Sequence, residues 1–176
     1  TDGASGAVIW SPDGRWIAFF ADGKLKRISP EGSVAQTIAT IPGFQDAAWG
    51  RGGEIIFRST NRAALLGVSE SGGIPKAVSR LDPARSENSH RAPQFLPDGR
   101  RFLFTSRCSE RENNALYIGS LDSTEVTRVM PAQSRVAYVP STSGSGGVLL
   151  FYKDGSLLAQ TFTDFEVLVV DDGSTD

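Results

Sequence analysis

Apolar residues along this chain come in short bursts separated by polar turns rich in Gly, Pro, Asp and Ser. The bursts Ile17–Ala21, Ile55–Phe57, Phe102–Phe104 and Val148–Tyr152 are each too short for a helix. No window of about 12 residues or more carries apolar positions at helical spacing. Short apolar runs bounded by turn residues predict β-strands, and several in regular succession predict an all-β fold. Between the bursts lie alternating segments: Leu25, Arg27 and Ile28, then Leu65 to Val68, then Leu116 to Ile118. Shorter strands are expected around Gln36–Ala39, Lys76–Val78 and Val126–Val129.

The bursts belong to a repeat. An aromatic residue, a tight polar turn and an apolar run recur as Trp10-Ser11-Pro12-Asp13-Gly14-Arg15-Trp16-Ile17, Trp49-Gly50-Arg51-Gly52-Gly53-Glu54-Ile55 and Phe95-Leu96-Pro97-Asp98-Gly99-Arg100-Arg101-Phe102. A degenerate fourth copy runs from Tyr138 through a Ser/Gly stretch to Val148–Tyr152. The anchor aromatics at 10, 49, 95 and 138 lie 39, 46 and 43 residues apart, the length of one four-stranded propeller blade. The fold expected is therefore an all-β propeller of four-stranded antiparallel blades. About four blades are visible, near 4–40, 44–80, 89–130 and 135–170, as a closed four-blade ring or part of a six- to seven-blade one. The Asp22-Gly23 pair suits a type I′ hairpin turn. Continuously apolar middle strands are expected where a blade packs between two neighbours.

Those same phrases resemble the Ser-Pro-Asp-Gly blades of TolB-type, WD-repeat-like β-propellers. More narrowly, the chain resembles the C-terminal propellers of bacterial receptor-like serine/threonine protein kinases. Supporting phrases are Phe19–Lys26, Ser89–Phe95 and Asn113–Leu121. The resemblance implies a sensor-like module, bacterial and possessing an extracytoplasmic or periplasmic setting. The kinase itself is not represented: there is no Gly-rich loop, catalytic-loop His-Arg-Asp or Asp-Phe-Gly.

The last residues depart from the blade pattern. Phe165-Glu166-Val167-Leu168-Val169-Val170-Asp171-Asp172-Gly173-Ser174-Thr175-Asp176 resembles the nucleotide-sugar-binding strand of family 2 glycosyltransferases, and 163–176 reads as a C-terminal strand or a foreign segment. That resemblance implies a UDP-sugar held through Asp171 and Asp172. The competing expectation places Glu166–Val170 as the fourth strand of blade four.

Composition narrows the chemistry. Eighteen Lys and Arg against twenty Asp and Glu leave a net charge of −2 over 176 residues, with no basic footprint for nucleic acid. No apolar run is long enough for a membrane-spanning helix. The start at Thr1 shows no basic or apolar leader, so compartment is not read from a targeting signal. A single cysteine, Cys108, excludes an internal disulfide, and the lone His90 excludes a multi-histidine metal site. His90 is expected just before the first strand of its blade, bonded within a turn. Cys108 is expected in a polar hairpin loop over Ser106–Asn114 as an incidental thiol, the alternative being a thiol whose pKa Arg107 and Arg111 lower. Asp13, Asp22, Asp98 and Asp154 are too sparse for calcium and read as turn residues. No cofactor and no catalytic residue are indicated. The candidate contacts for a protein or small ligand at the propeller rim are Arg107, Glu110 and Arg111, on the longest hairpin loop. If the ring is open, Ala7–Trp10 and the last strand are unpaired edges that invite self-association.

Overall fold

The computed structural model describes residues 4–142 and 146–163; the expected strand Glu166–Val170 and the nucleotide candidates Asp171 and Asp172 lie outside them. Four antiparallel sheets follow one another along the chain. The first comprises β1 (Ser5–Trp10), β2 (Ile17–Ala21), β3 (Lys24–Ile28) and β4 (Gln36–Thr40). The second comprises β5 (Gln45–Trp49), β6 (Glu54–Arg58), β7 (Leu65–Ser69) and β8 (Lys76–Ala77). The third comprises β9 (Glu87–Phe95), β10 (Arg101–Cys108), β11 (Ala115–Ser120) and β12 (Ser123–Pro131). The fourth shows three strands: β13 (Val136–Pro140), β14 (Gly147–Lys153) and β15 (Ser156–Phe162). Each sheet is a simple meander, its strands paired in sequence order, and the protein is a β-propeller. Two 3-10 turns, Pro83–Arg85 and Arg111–Asn113, are the helical elements of the described residues.

Turn chemistry explains the recurring Asp-Gly. Asp22 (φ 55°) and Gly23 (φ 70°) both have positive φ, the requirement of a type I′ turn, and Asp154 (φ 49°) with Gly155 (φ 83°) repeats it. In the Ser-Pro-Asp-Gly turn the carboxylate works differently. Asp13 accepts from the Ser11 hydroxyl at 2.6 Å and the Arg15 N–H at 3.0 Å, and Asp98 accepts from the Arg100 and Arg101 N–H groups at 2.9 Å each. These oxygens are spent on holding the turn.

The second strand of each blade shows why its sequence is continuously apolar. Alternate residues of a strand point to opposite faces. Ile55 and Phe57 of β6 join the core shared with blade one, while Ile56 joins the core shared with blade three. Phe102 and Phe104 of β10 pack back on blade two, while Leu103 packs forward on blade four. Both faces of these strands are therefore buried between blades.

The anchor aromatics serve the same interfaces. Trp49 is buried in the blade-one core, Phe95 packs on the blade-two core and Tyr138 on the blade-three core. Trp10, the corresponding residue of the first blade, is 57% exposed.

Near the axis, β1 packs on β5, β5 on β9 and β9 on β13. No comparable contact joins β13 to β1 among the described residues. Each of the first three innermost strands carries one positive-φ residue at a bulge: Gly6, Asp46 and Ala92. At Gly6 the bulge brings the backbone of blade one against blade two, and the Ala7 N–H donates to the Phe44 carbonyl at 2.7 Å.

Candidate functional site

The meander puts two kinds of connection at opposite ends of the propeller. One end carries the Asp-Gly and Gly-Gly turns between first and second strands, with the turns between third and fourth. The other carries the links between second and third strands, 59–64 and 109–114, and the links between blades, 41–44, 78–86 and 132–135. Longer, irregular connections gather on this second end, where binding residues are disproportionately found.

Arg107 lies on this end, but in strand β10 and not in the loop expected for it. The ladder continues through Cys108, which pairs with Glu87, so the hairpin loop is shorter than Ser106–Asn114. Arg107 faces Ser89 across the β9–β10 ladder and Arg91 faces Thr105. Both arginines are consequently diagonal neighbours on the face turned toward blade four, the face that also carries Leu103. Arg107 donates through Nη1 to the Gln133 carbonyl at 3.0 Å, and Arg91 through Nε to the Ser89 hydroxyl at 3.0 Å. Arg111 projects from the 3-10 turn and is exposed. Burial, and then the charges of Arg91 and Arg111, pull Arg107 below the ordinary guanidinium value, so the three cations share one electrostatic neighbourhood. Among the described residues none of the three has a carboxylate partner. Glu110 stands apart from them: its carboxylate accepts from Asn113 Nδ2 at 3.0 Å within its own loop.

The opposite face of the same sheet holds a buried polar network. His90 is the fourth residue of β9, inside the strand where a turn position was expected. Its Nδ1 lies 2.7 Å from the Ser79 hydroxyl, at the end of blade two, and its Nε2 lies 3.1 Å from Glu87. Ser79 also accepts from the Leu65 N–H at 3.0 Å, so one hydroxyl ties β7 and the end of blade two to His90. Serine, histidine and carboxylate in this order invite comparison with a hydrolase triad. The Ser79 and His90 residues are each 1% exposed, which leaves a substrate no approach, and the network acts as a staple between blades two and three. Ser79 and Glu87 escape sequence reasoning because a polar residue carries no pattern that marks it as buried.

Cys108 also departs from expectation. It is buried, its thiol lies 3.5 Å from the Asn113 carbonyl, and its N–H donates to Asn114 Oδ1 at 2.7 Å. Burial pushes the thiol up, and a thiol so held is a poor nucleophile, in keeping with an incidental rather than a reactive cysteine.

A second feature of the loop-bearing end is a cleft of about 440 Å³ between blades one and two, lined in part by Ser5, Gln45, Ser59, Thr60 and Asn61. Below it, Arg58 donates from Nε and Nη2 to Asp46 at 2.9 and 2.5 Å, and from Nη1 to the Thr60 carbonyl at 2.6 Å. Arg58 thereby ties the cleft's wall to the bulge of β5. No group of three or more metal-ligating side chains occurs among the described residues. No helix of the described residues is long and apolar enough to cross a membrane.

Solved structures similar to this chain are β-propellers. A regucalcin from Agrobacterium tumefaciens, a calcium-binding protein, is 12% identical over 91% of this chain, with a TM-score of 0.58. A prolyl endopeptidase is 11% identical over 93% of it, with a TM-score of 0.57. A TolB of Agrobacterium tumefaciens is 18% identical over 90% of this chain and 76% of its own, with a TM-score of 0.41. The chain spans 54% of the regucalcin and 27% of the endopeptidase. At such identities the likeness establishes the fold alone. No family model and no curated protein matches the chain, so the kinase-propeller and glycosyltransferase resemblances rest on the quoted residues.

Proposed function

We propose that the chain is a non-catalytic recognition module that binds a protein or small ligand bearing carboxylate groups at the loop-bearing end of blade three. The observation that carries this reading is the meeting of Arg91, Arg107 and Arg111 without a carboxylate partner among the described residues. Three cations held together repel one another, and an arriving anion relieves that repulsion. The guanidinium group presents paired N–H donors that match a carboxylate fork. Anchoring through the Gln133 carbonyl and the Ser89 hydroxyl pre-orients two of the three side chains and leaves further N–H donors free. Pre-orientation reduces the entropy lost on binding. The buried Cys108 and the sealed Ser79–His90 pair support the non-catalytic part of the reading. A sensor role, as the kinase-propeller resemblance implies, is one form of it.

The test is fluorescence anisotropy with a labelled pentaglutamate peptide at low salt. Binding that weakens as salt rises and falls at least tenfold in Arg107→Glu or Arg111→Glu is expected. Equal binding by the wild type and both charge-reversed variants, or no binding at all, would overturn the reading.

A further inference from the structure

The cleft between blades one and two has a lining unlike the arginine cluster of blade three. Gln45, Ser59, Thr60 and Asn61 supply its polar wall, and Phe20 and Pro42 part of its apolar one. No charged residue lines it. None of those four polar side chains has a hydrogen-bond partner among the described residues. Amides elsewhere in the chain are spent on neighbours: Gln36 on Arg27, Gln94 on the backbone of blade four, Asn113 on Glu110 and Asn114 on the Cys108 N–H.

Close backbone approaches build the walls. A Cβ at Gly6 would stand 2.2 Å from the Phe44 carbonyl oxygen, and one at Gly43 2.3 Å from the Ser59 carbonyl oxygen. Glycine alone permits such approaches, which gather the start of β1, the link 41–44 and the segment after β6 around one hollow. Gln45 faces Arg58 across the β5–β6 ladder, and Arg58 holds the Thr60 carbonyl and Asp46. Arg58 is 4% exposed and paired with Asp46, so it stiffens the wall without charging the cleft.

We propose that this cleft binds a neutral mono- or disaccharide. Its volume, about 440 Å³, lies within the range of small-ligand sites, about 300–1,000 Å³. Sugar hydroxyls both donate and accept. Ser59 and Thr60 do the same, and the Gln45 and Asn61 amides each offer a donor beside an acceptor. The C–H flanks of a sugar ring suit Phe20 and Pro42. An ionic ligand would shed hydration here and gain no counter-charge, which separates this cleft from the site of Arg91, Arg107 and Arg111. Walls held by Arg58 and by the glycine contacts reduce the ordering cost of binding.

Saturation-transfer-difference NMR with glucose, N-acetylglucosamine, maltose and cellobiose tests this on the full chain, with 1H–15N spectra to locate the contact. At least one sugar should bind with a millimolar or tighter Kd, and amide signals of 43–46 and 59–61 should shift. Asn61→Ala and Thr60→Val should each weaken binding by about fivefold or more, as loss of a hydrogen-bonding group implies. Both side chains are exposed in the segment after β6, so folding should survive, and circular dichroism checks it. Gln45→Ala serves as a third variant if either loses its β-structure. Absence of millimolar binding by all four sugars would overturn the proposal. So would shifts confined to other regions, or affinity left unchanged by the substitutions. Equally tight binding of the neutral peptide N-acetyl-triglycine amide, lost in the same variants, would overturn the assignment to a saccharide.

Discussion

The Ser79 hydroxyl, at the end of blade two, shares a 2.7 Å hydrogen bond with Nδ1 of His90 in the innermost strand of blade three. The bond crosses the junction between blades two and three beside the hydrogen bond from the His90 N–H to the Ala63 carbonyl at 3.0 Å, and the two add direction to the apolar packing there. Replacing Ser79 with Ala orphans two buried groups at once, His90 Nδ1 and the Leu65 N–H. Each unsatisfied group costs about 1–3 kcal/mol, so Ser79→Ala should lower unfolding stability by about 2–6 kcal/mol. Urea denaturation followed by circular dichroism measures this. A change under about 0.5 kcal/mol would mean that the hydroxyl contributes no net stability.

Glu87 links that network to pH. Burial raises its carboxyl pKa, but hydrogen bonds from His90, the Asp82 N–H and Ser106, with the attraction of His90, outweigh burial and leave it below the ordinary glutamate value of 4.5. The folded state thus favours the ionised carboxylate. Its contribution is present above the ordinary value and is lost as pH falls through the depressed one. Glu87→Gln should be less stable than wild type at pH 7 and lose less stability between pH 6 and pH 3. Urea midpoints across that interval show the difference; parallel curves for the two proteins would contradict it.

The fold was legible because the blade pattern is written in apolar residues. Phe57, Phe104 and Phe151 recur at one place in successive second strands, and turn residues bracket them at a constant period. Trp10 and Trp49 occupy equivalent places in sequence and very different ones in space: Trp49 is buried in the core between blades one and two, and Trp10 is 57% exposed. The arginine end was half legible. Arg107 and Arg111 stood out as charges near a long loop, while Arg91 joined them through a strand pairing across 16 residues. The strand carrying Arg107 was hidden because Thr105-Ser106-Arg107-Cys108 is polar enough to read as a loop. Thr105 and Ser106 are buried in the sheet, where hydropathy alone does not place them. The Ser79–His90–Glu87 network was hidden for a related reason, since its members come from different blades and from the link between them.

Tyr117 makes the converse prediction. Its ring stacks on Phe104 at 5.7 Å, yet its buried hydroxyl finds no hydrogen-bond partner among the described residues. Burial pushes the phenol pKa up, in keeping with a hydroxyl held away from water. Removing an unsatisfied buried hydroxyl while keeping the ring relieves a desolvation cost of about 1 kcal/mol or more. Tyr117→Phe should therefore match or exceed wild-type stability, by up to about 1 kcal/mol in urea unfolding. A clear loss would show that the hydroxyl has a partner, such as a bound water.

Asp46 and Arg58 form the most buried of the Asp–Arg ion pairs, their side chains 28% and 5% exposed. Removing the carboxylate strands a guanidinium away from water, and breaking a buried pair this way costs about 3 kcal/mol or more. Asp46 also holds φ at 40°, where Ala is strained and Asn is tolerated. Asp46→Ala should therefore be more destabilising than Asp46→Asn, and the difference isolates the backbone strain from the lost charge. Arg58→Met in the Asp46→Asn background should recover part of the loss, because no buried cation then remains unpaired. The recovered protein would still lack the Arg58 bond to the Thr60 carbonyl, so amide hydrogen exchange in 59–62 should rise while exchange in the β6 ladder stays slow. If the double variant is no more stable than Asp46→Asn, the cost lies in lost packing of the arginine stem and not in its charge.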